Sequence, residues 1–187
     1  CEDTESLYKF FRRIKVVNRE KMEVTQIAEE LNSCRQALCI VNSKKHAIAI
    51  YSKLDGDGIF HLSTRMCPKH RNEVLAEIKK KLESGMPCKV VSTQLIEAGV
   101  DVDFPVVYRS MAGIDSIVQA GGRCNREGNL KVGIINVFEP ENIYTKNMPS
   151  TIRRPIEVAK TIILRFEDIL SPEAIKTYFE ELYNFEG

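Results

Sequence analysis

The chain has 187 residues, 43% hydrophobic and 28% charged, with a formal net charge of +1. This accommodates one well-buried soluble domain plus a small appendage, and it excludes a protein that gathers nucleic acid through a strong overall field. Any such contact is local, made by backbone amides and hydroxyls, and no apolar run approaches the ~20 residues of a membrane span.

In chain order, residues 14–17 read as a strand and 24–31 as a helix. Residues 37–41 form a second apolar strand closed by Asn42 and Ser43. In residues 44–54, Ala47, Ile48, Ile50, Tyr51 and Leu54 recur at helical spacing. A strand at 59–62 precedes a helix at 68–84, which carries Val74, Leu75, Ile78 and Leu82 on one face and Pro68 in its first turn. Strands follow at 89–92, 105–108 and 132–138, with a helix over 115–123 between the last two. Alternation of this kind specifies an α/β domain with a central parallel sheet flanked by helices. The Asn-, Pro- and Thr-bearing stretch 141–154 reads as a loop or linker. Amphipathic helices at 155–170 and 172–183 follow, the second opened by Ser171 and Pro172. The division expected is a domain over 1–140 and a linker with helical extension over 141–187, leading to a further domain.

The chemistry concentrates between residues 90 and 128. A helix over 115–123, carried on, puts Gln119, Arg123 and Arg126 at i, i+4 and i+7, on one face. Two planar guanidiniums on one face suit phosphate oxygens and stabilise charge in phosphoryl transfer; surface ion pairs, for instance to Glu127, are the bland alternative. Gly121 and Gly122 each disfavour a helix by roughly 1 kcal/mol against Ala, so something is expected to pack very close there, such as a nucleotide or an opposing domain. Ser92 and Thr93 close a strand, where hydroxyls meet phosphates or simply cap a turn. Gly99 permits tight backbone geometry. Asp101 is placed to accept from a ribose hydroxyl or from a motif arginine across a cleft. Asn42-Ser43 is either a helix cap or a contact, Thr64 and Arg65 could track a phosphate backbone, and His61 reads as a packed ring.

Other chemistries find no support. Cys1, Cys34, Cys39, Cys67, Cys88 and Cys124 form no Cys-x-x-Cys pair, and His46, His61 and His70 show no metal-ligand spacing. No metal site is expected. Cys39 and Cys88 adjoin apolar strand-like runs and read as buried, reduced thiols, which points to a cytoplasmic protein. The chain opens on Cys1 with no apolar signal region, as a fragment or excised domain would. There is no Gly-x-x-x-x-Gly-Lys-Ser/Thr phosphate loop, no Asp-Glu-x-His or Asp-Glu-x-Asp segment, and no His-Asp dipeptide. Asp55-Gly56-Asp57-Gly58 is too short for a calcium loop and reads as a turn.

The strings STQLIEAGVDVDFPVVYR and SIVQAGGRCNREG resemble the fifth and sixth motifs of superfamily 2 helicases, and in their full wording the helicase–nuclease of type I CRISPR interference systems. HLSTRMCPKHRNEVL and LCIVNSKKHAIAIYSKL are similar to that family's segments further upstream. The resemblance covers roughly residues 37–139, with Gly121 where Ala is expected. It implies a second RecA-like motor domain, in which Arg123 and Arg126 reach ATP and Mg2+ held mainly by a first motor domain. Gln119, Gly99, Asp101 and Gly122 would support that nucleotide contact. Asn42, Ser43, Thr64, Arg65, Ser92 and Thr93 would line a single-stranded DNA track, with translocation 3′ to 5′. The implied partners are the first motor domain, an HD nuclease domain and an RNA-guided CRISPR surveillance complex, and the chain alone would not hydrolyse ATP. Two alternatives stand beside this: a non-catalytic module docking to a surveillance complex or inhibitor, and a domain of another superfamily 2 translocase.

Overall fold

The computed structural model describes residues 13–64, 66–97 and 99–184. Six strands form one sheet: β1 (Ile14–Met22), β2 (Gln36–Ile40), β3 (Ile59–Leu62), β4 (Cys88–Ser92), β5 (Val106–Ser110) and β6 (Gly133–Pro140), in the spatial order β1-β6-β5-β2-β4-β3. Every pairing is parallel. Parallel strands need crossover connections; α1 (Val24–Ser33), α2 (Lys44–Tyr51), α3 (Pro68–Glu83) and α4 (Ile114–Gly121) supply four of the five, and β4 leads to β5 by way of a short 3-10 turn at Gln94–Ile96. The fold is the α/β class with the parallel sheet read from the sequence. The first strand runs on to Met22, well past the four residues expected, because its pairing with β6 resumes at Lys21 and Met22 after a register shift beyond Asn18.

Successive side chains of a strand point to opposite faces, and both faces here are covered. Ala37, Cys39 and Val41 join Val91, Tyr108 and Phe138 beneath α1 and α2. Leu38 and Ile40 join Val90, Val107, Ile135 and Val137 on the other face, under α3 and α4. Burial on both sides explains why the strands read as continuous apolar runs rather than alternating ones.

The C-terminal stretch differs from its expectation. Residues 141–154 hold a short helix, α5 (Asn142–Thr145), and the beginning of α6 (Ser150–Arg165), so Pro155 lies inside α6 instead of opening it. Helix α7 (Pro172–Asn184) follows, with the Ser171 hydroxyl accepting from Ala174 N at 3.2 Å. Val158, Ala159 and Ile162 of α6 and Ala174 and Tyr178 of α7 belong to the same apolar core as the sheet. The Tyr178 hydroxyl donates to Asp115 Oδ1 at 2.7 Å, tying α7 to the first turn of α4. No helix among the described residues is long and apolar enough to cross a membrane.

Candidate functional site

The motif residues gather at two places. The first is the C-terminal edge of the sheet. Helix α2, after β2, packs on one face, and α4, after the adjacent β5, packs on the other. A crevice opens at such a reversal, and ligands of open α/β sheets sit there. Asn42 spans it: its Nδ2 donates to the Met111 carbonyl at 2.7 Å, and Gln94 Nε2 reaches its Oδ1 at 3.4 Å. Ser43 caps α2, accepting from His46 N at 3.2 Å. Ser92 is fully buried and donates to the Thr93 carbonyl at 2.8 Å, so its hydroxyl shapes the turn from within. Thr93 is nearly buried as well, while Thr64 is exposed. Arg65 lies outside the described residues.

The second place is set by the return of the chain from Gly99, at φ +70°, to the start of β5. Here the arginines depart from the expected helical face. Helix α4 stops at Gly121 with Gly122 as its C-cap, and Arg123 and Arg126 lie beyond it. The chain instead pairs in parallel with the 102–105 arm: Phe104 N donates to the Arg123 carbonyl at 2.9 Å, and Asn125 N to the Phe104 carbonyl at 3.0 Å. Asn125 takes φ 48°, and its side chain bonds the Arg13 and Leu130 carbonyls and Leu130 N. Packing within the domain by itself calls for glycine at position 121. A Cβ there would lie 2.7 Å from Ile14 Cδ1 and 3.1 Å from Ile135 Cδ1, on β1 and β6. Gln119 is exposed on α4, and among the described residues it hydrogen-bonds neither arginine.

The two arginines have different surroundings. Arg123 is half-buried and donates to the carbonyls of Ile96 (3.2 Å), Glu97 (2.9 Å) and Gly122 (3.3 Å). Burial, with the neighbouring Arg126 charge, lowers its pKa, and Asp101 opposes that. Arg126 has a side chain 43% exposed and pairs with the more exposed Asp101 of the returning arm. Asp103 fixes the backbone beneath it, accepting from Arg126 N at 2.7 Å and Glu127 N at 3.1 Å. Beside them, Lys79, Glu83, Asp101, Asp103, Arg126 and Glu127 border a cavity of about 370 Å³. Four carboxylates against two cations do not attract a triphosphate, so an incoming phosphate would have to displace Asp101 from Arg126.

Between the two places lies a buried pair that reading the sequence missed. Arg109 of β5 is 1% exposed, with Nε 2.7 Å from Glu97 Oε1, an ion pair without hydrogen-bond alignment. Its Nη1 donates to Asn42 Oδ1 and to the Ser110 carbonyl, both at 2.8 Å. Burial raises the Glu97 pKa and lowers that of Arg109, and in each the partner's charge works against the shift. The available signal was a charged residue near the end of an apolar strand, which demands a carboxylate partner. His46 is buried against Tyr144, ring centroids 4.2 Å apart, and burial pushes its pKa down to about 4. His61 rests against Tyr51 at 5.5 Å, a packed ring as read. Among the described residues no group of three His, Cys, Asp or Glu side chains is placed to hold a metal ion.

This arrangement meets its match in a described family. The model for the C-terminal region of the CRISPR-associated nuclease/helicase Cas3 matches residues 33–129. The chain belongs to the Cas3 family. A Cas3 from Methanothermobacter thermautotrophicus, named as a CRISPR-associated nuclease/helicase, is 28% identical over 163 residues, which is 83% of this chain and 19% of the relative. The T. fusca Cas3–ATP structure superposes with a TM-score of 0.71 at 21% identity, over 93% of this chain and 24% of that one. A chain in a structure titled as a CRISPR RNA-guided surveillance complex, pre-nicking, gives 0.68 at 21% identity, over 92% of this chain and 25% of that one. These likenesses show the RecA-like fold of Cas3. The chain spans about a fifth to a quarter of the length of the proteins it matches.

Proposed function

We propose that the chain is the second motor domain of an ATP-dependent single-stranded DNA translocase of type I CRISPR interference. It supplies half of an ATPase site and does not turn over ATP alone. The observation that carries this reading is Arg126: a solvent-accessible guanidinium whose backbone Asp103 holds rigid and whose charge rests on exposed Asp101. An exposed ion pair contributes roughly 0–1 kcal/mol, so exchanging Asp101 for a phosphate oxygen when the cleft closes costs little.

In this reading Arg126 stabilises the charge on the transferring phosphoryl group, and Arg123 holds the 96–97 turn in place while facing the same cleft. Gly99, Asp101, Gln119 and Gly122 shape that wall. Hydrolysis of ATP, with Mg2+ carried by the first motor domain, supplies the free energy for movement. The DNA strand runs along the C-terminal edge of the sheet, from Asn42 and Ser43 at the β2/β5 crevice past the backbone around Thr93, with Ser92 beneath, to Thr64 after β3, and Arg65 is assigned to the same track by its sequence motif. An RNA-guided surveillance complex loads the intact protein in the cytoplasm, and an HD nuclease domain cuts the strand that is drawn through.

The test is ATP hydrolysis by the intact parent protein with single-stranded DNA, wild type against Arg126→Ala. An arginine of this kind contributes about 10³-fold or more to turnover, so the variant should collapse while still binding DNA. Unchanged turnover would move the non-catalytic docking module to first place.

A further inference from the structure

We propose that the buried Arg109–Glu97 pair couples the DNA edge of the sheet to the arginines of the nucleotide cleft, making Arg109 a positioning residue for DNA-stimulated ATP hydrolysis. The inference rests on the motor reading above. Its basis is that Glu97 is gripped from both sides. Its carboxylate meets Arg109 Nε at 2.7 Å, and its own carbonyl accepts from Arg123 Nη2 at 2.9 Å. Arg109 in turn holds Asn42 Oδ1 at 2.8 Å, and Gln94, at the start of the same turn, reaches that oxygen at 3.4 Å. One unbroken set of contacts therefore runs from Asn42 at the crevice, through Arg109 and Glu97, to Arg123.

Stability does not account for the pair. A buried ion pair can often be replaced by apolar residues of similar volume without loss, because desolvation consumes its Coulombic gain. Removing one partner alone strands a charge in the core. What the pair supplies is a fixed geometry. The planar guanidinium serves Glu97, Asn42 and the Ser110 carbonyl at once, which the single ammonium of lysine cannot reproduce. A DNA backbone engaging Asn42 or the Thr93 turn acts on groups that Arg109 and Gln94 already tie to Glu97. Displacement of that turn carries the two carbonyls that orient Arg123.

The test uses the intact parent protein and two variants, Arg109→Lys and the double Arg109→Met/Glu97→Met. Measured quantities are ATP turnover with and without single-stranded DNA, DNA affinity, and the unfolding midpoint. Coupling between sites is commonly about 5–150-fold, so each variant should lose about tenfold or more of the DNA stimulation. DNA-free turnover and DNA affinity should stay within about threefold of wild type on the same scale. Stimulation retained in either folded variant overturns the proposal. So does a loss explained by weaker DNA binding or by lower DNA-free turnover, and so does failure of both variants to fold. A wild-type protein that DNA does not stimulate, or one indifferent to Arg126→Ala, would instead overturn the motor reading itself.

Discussion

Replacing Gly121 with Ala separates two explanations for the glycine. Judged by helix propensity, Ala gains up to about 1 kcal/mol, and less at the last residue of a helix. Against this, the new Cβ would stand 2.7 Å from Ile14 Cδ1 and 3.1 Å from Ile135 Cδ1. Carbon contacts settle at about 3.5–4.0 Å, so these fall short by roughly 0.8 and 0.4 Å. Ile135 is fully buried between two neighbouring strands and cannot retreat, whereas Ile14 lies on the edge strand. Overpacking of this kind costs about 1–3 kcal/mol, which leaves Gly121→Ala about 1 kcal/mol less stable than wild type. Ile14→Val deletes the nearer clashing methyl, at its own cost of about 0.5–1.5 kcal/mol. Urea unfolding of the four proteins of this cycle should show the double variant more stable than additivity predicts by at least about 0.5 kcal/mol. Additive effects with a neutral or stabilising Gly121→Ala would refute the packing account. Lower turnover of the intact protein at unchanged stability would restore the expectation of a nucleotide packed on the glycine.

Two other perturbations probe the core. The His46 pKa is pushed down from 6.5 to about 4 by burial, so the unfolded chain takes up a proton first as pH falls. Its contribution is complete above pH 6.5 and is lost as pH drops toward 4, amounting to about 3 kcal/mol across that window; urea midpoints measured at pH 7.5 and 4.5 should differ less in His46→Phe than in wild type. Tyr178→Phe removes the donor to Asp115 and should cost about 1.5–3 kcal/mol, as expected for a hydrogen bond to a charged group. A change under about 0.5 kcal/mol in the same assay would mean that solvent replaces the hydroxyl.

The sheet was legible because its central strands are buried on both faces and so appear as short apolar runs separated by helical periodicity. The arginine face was not, and the reason lies in Gly121 and Gly122. A spacing of i, i+4 and i+7 implies one face only while the helix lasts, and a glycine pair is as apt to end a helix as to admit a neighbour. The structure ends it, and the 102–105 arm takes over the alignment of Arg123 and Asn125. Asp101, expected to accept from a ribose hydroxyl or from a motif arginine across a cleft, pairs here with Arg126 of its own domain. Arg109 escaped notice because its partner Glu97 lies on a separate turn, and a pair brought together by tertiary packing leaves no local pattern. Helix α6 starts at Ser150, ahead of the expected 155, because packing against α4 and α7 carries it through Pro155.

The pairing of β1 with β6 sets a timetable for synthesis. Ile14 pairs with Gly133, 119 positions further on, and at roughly 5–20 residues per second the ribosome takes about 6–24 s to make that partner. For that interval the earliest strand has no neighbour, because the β2–β5 block can assemble without it. Gly121 faces Ile14 of β1 as well as Ile135 of β6, so closing this edge of the sheet also completes the packing at the end of α4. Shielding of the orphan strand by a chaperone, or by sequence upstream of it, would act during those seconds and leave no trace in the finished fold.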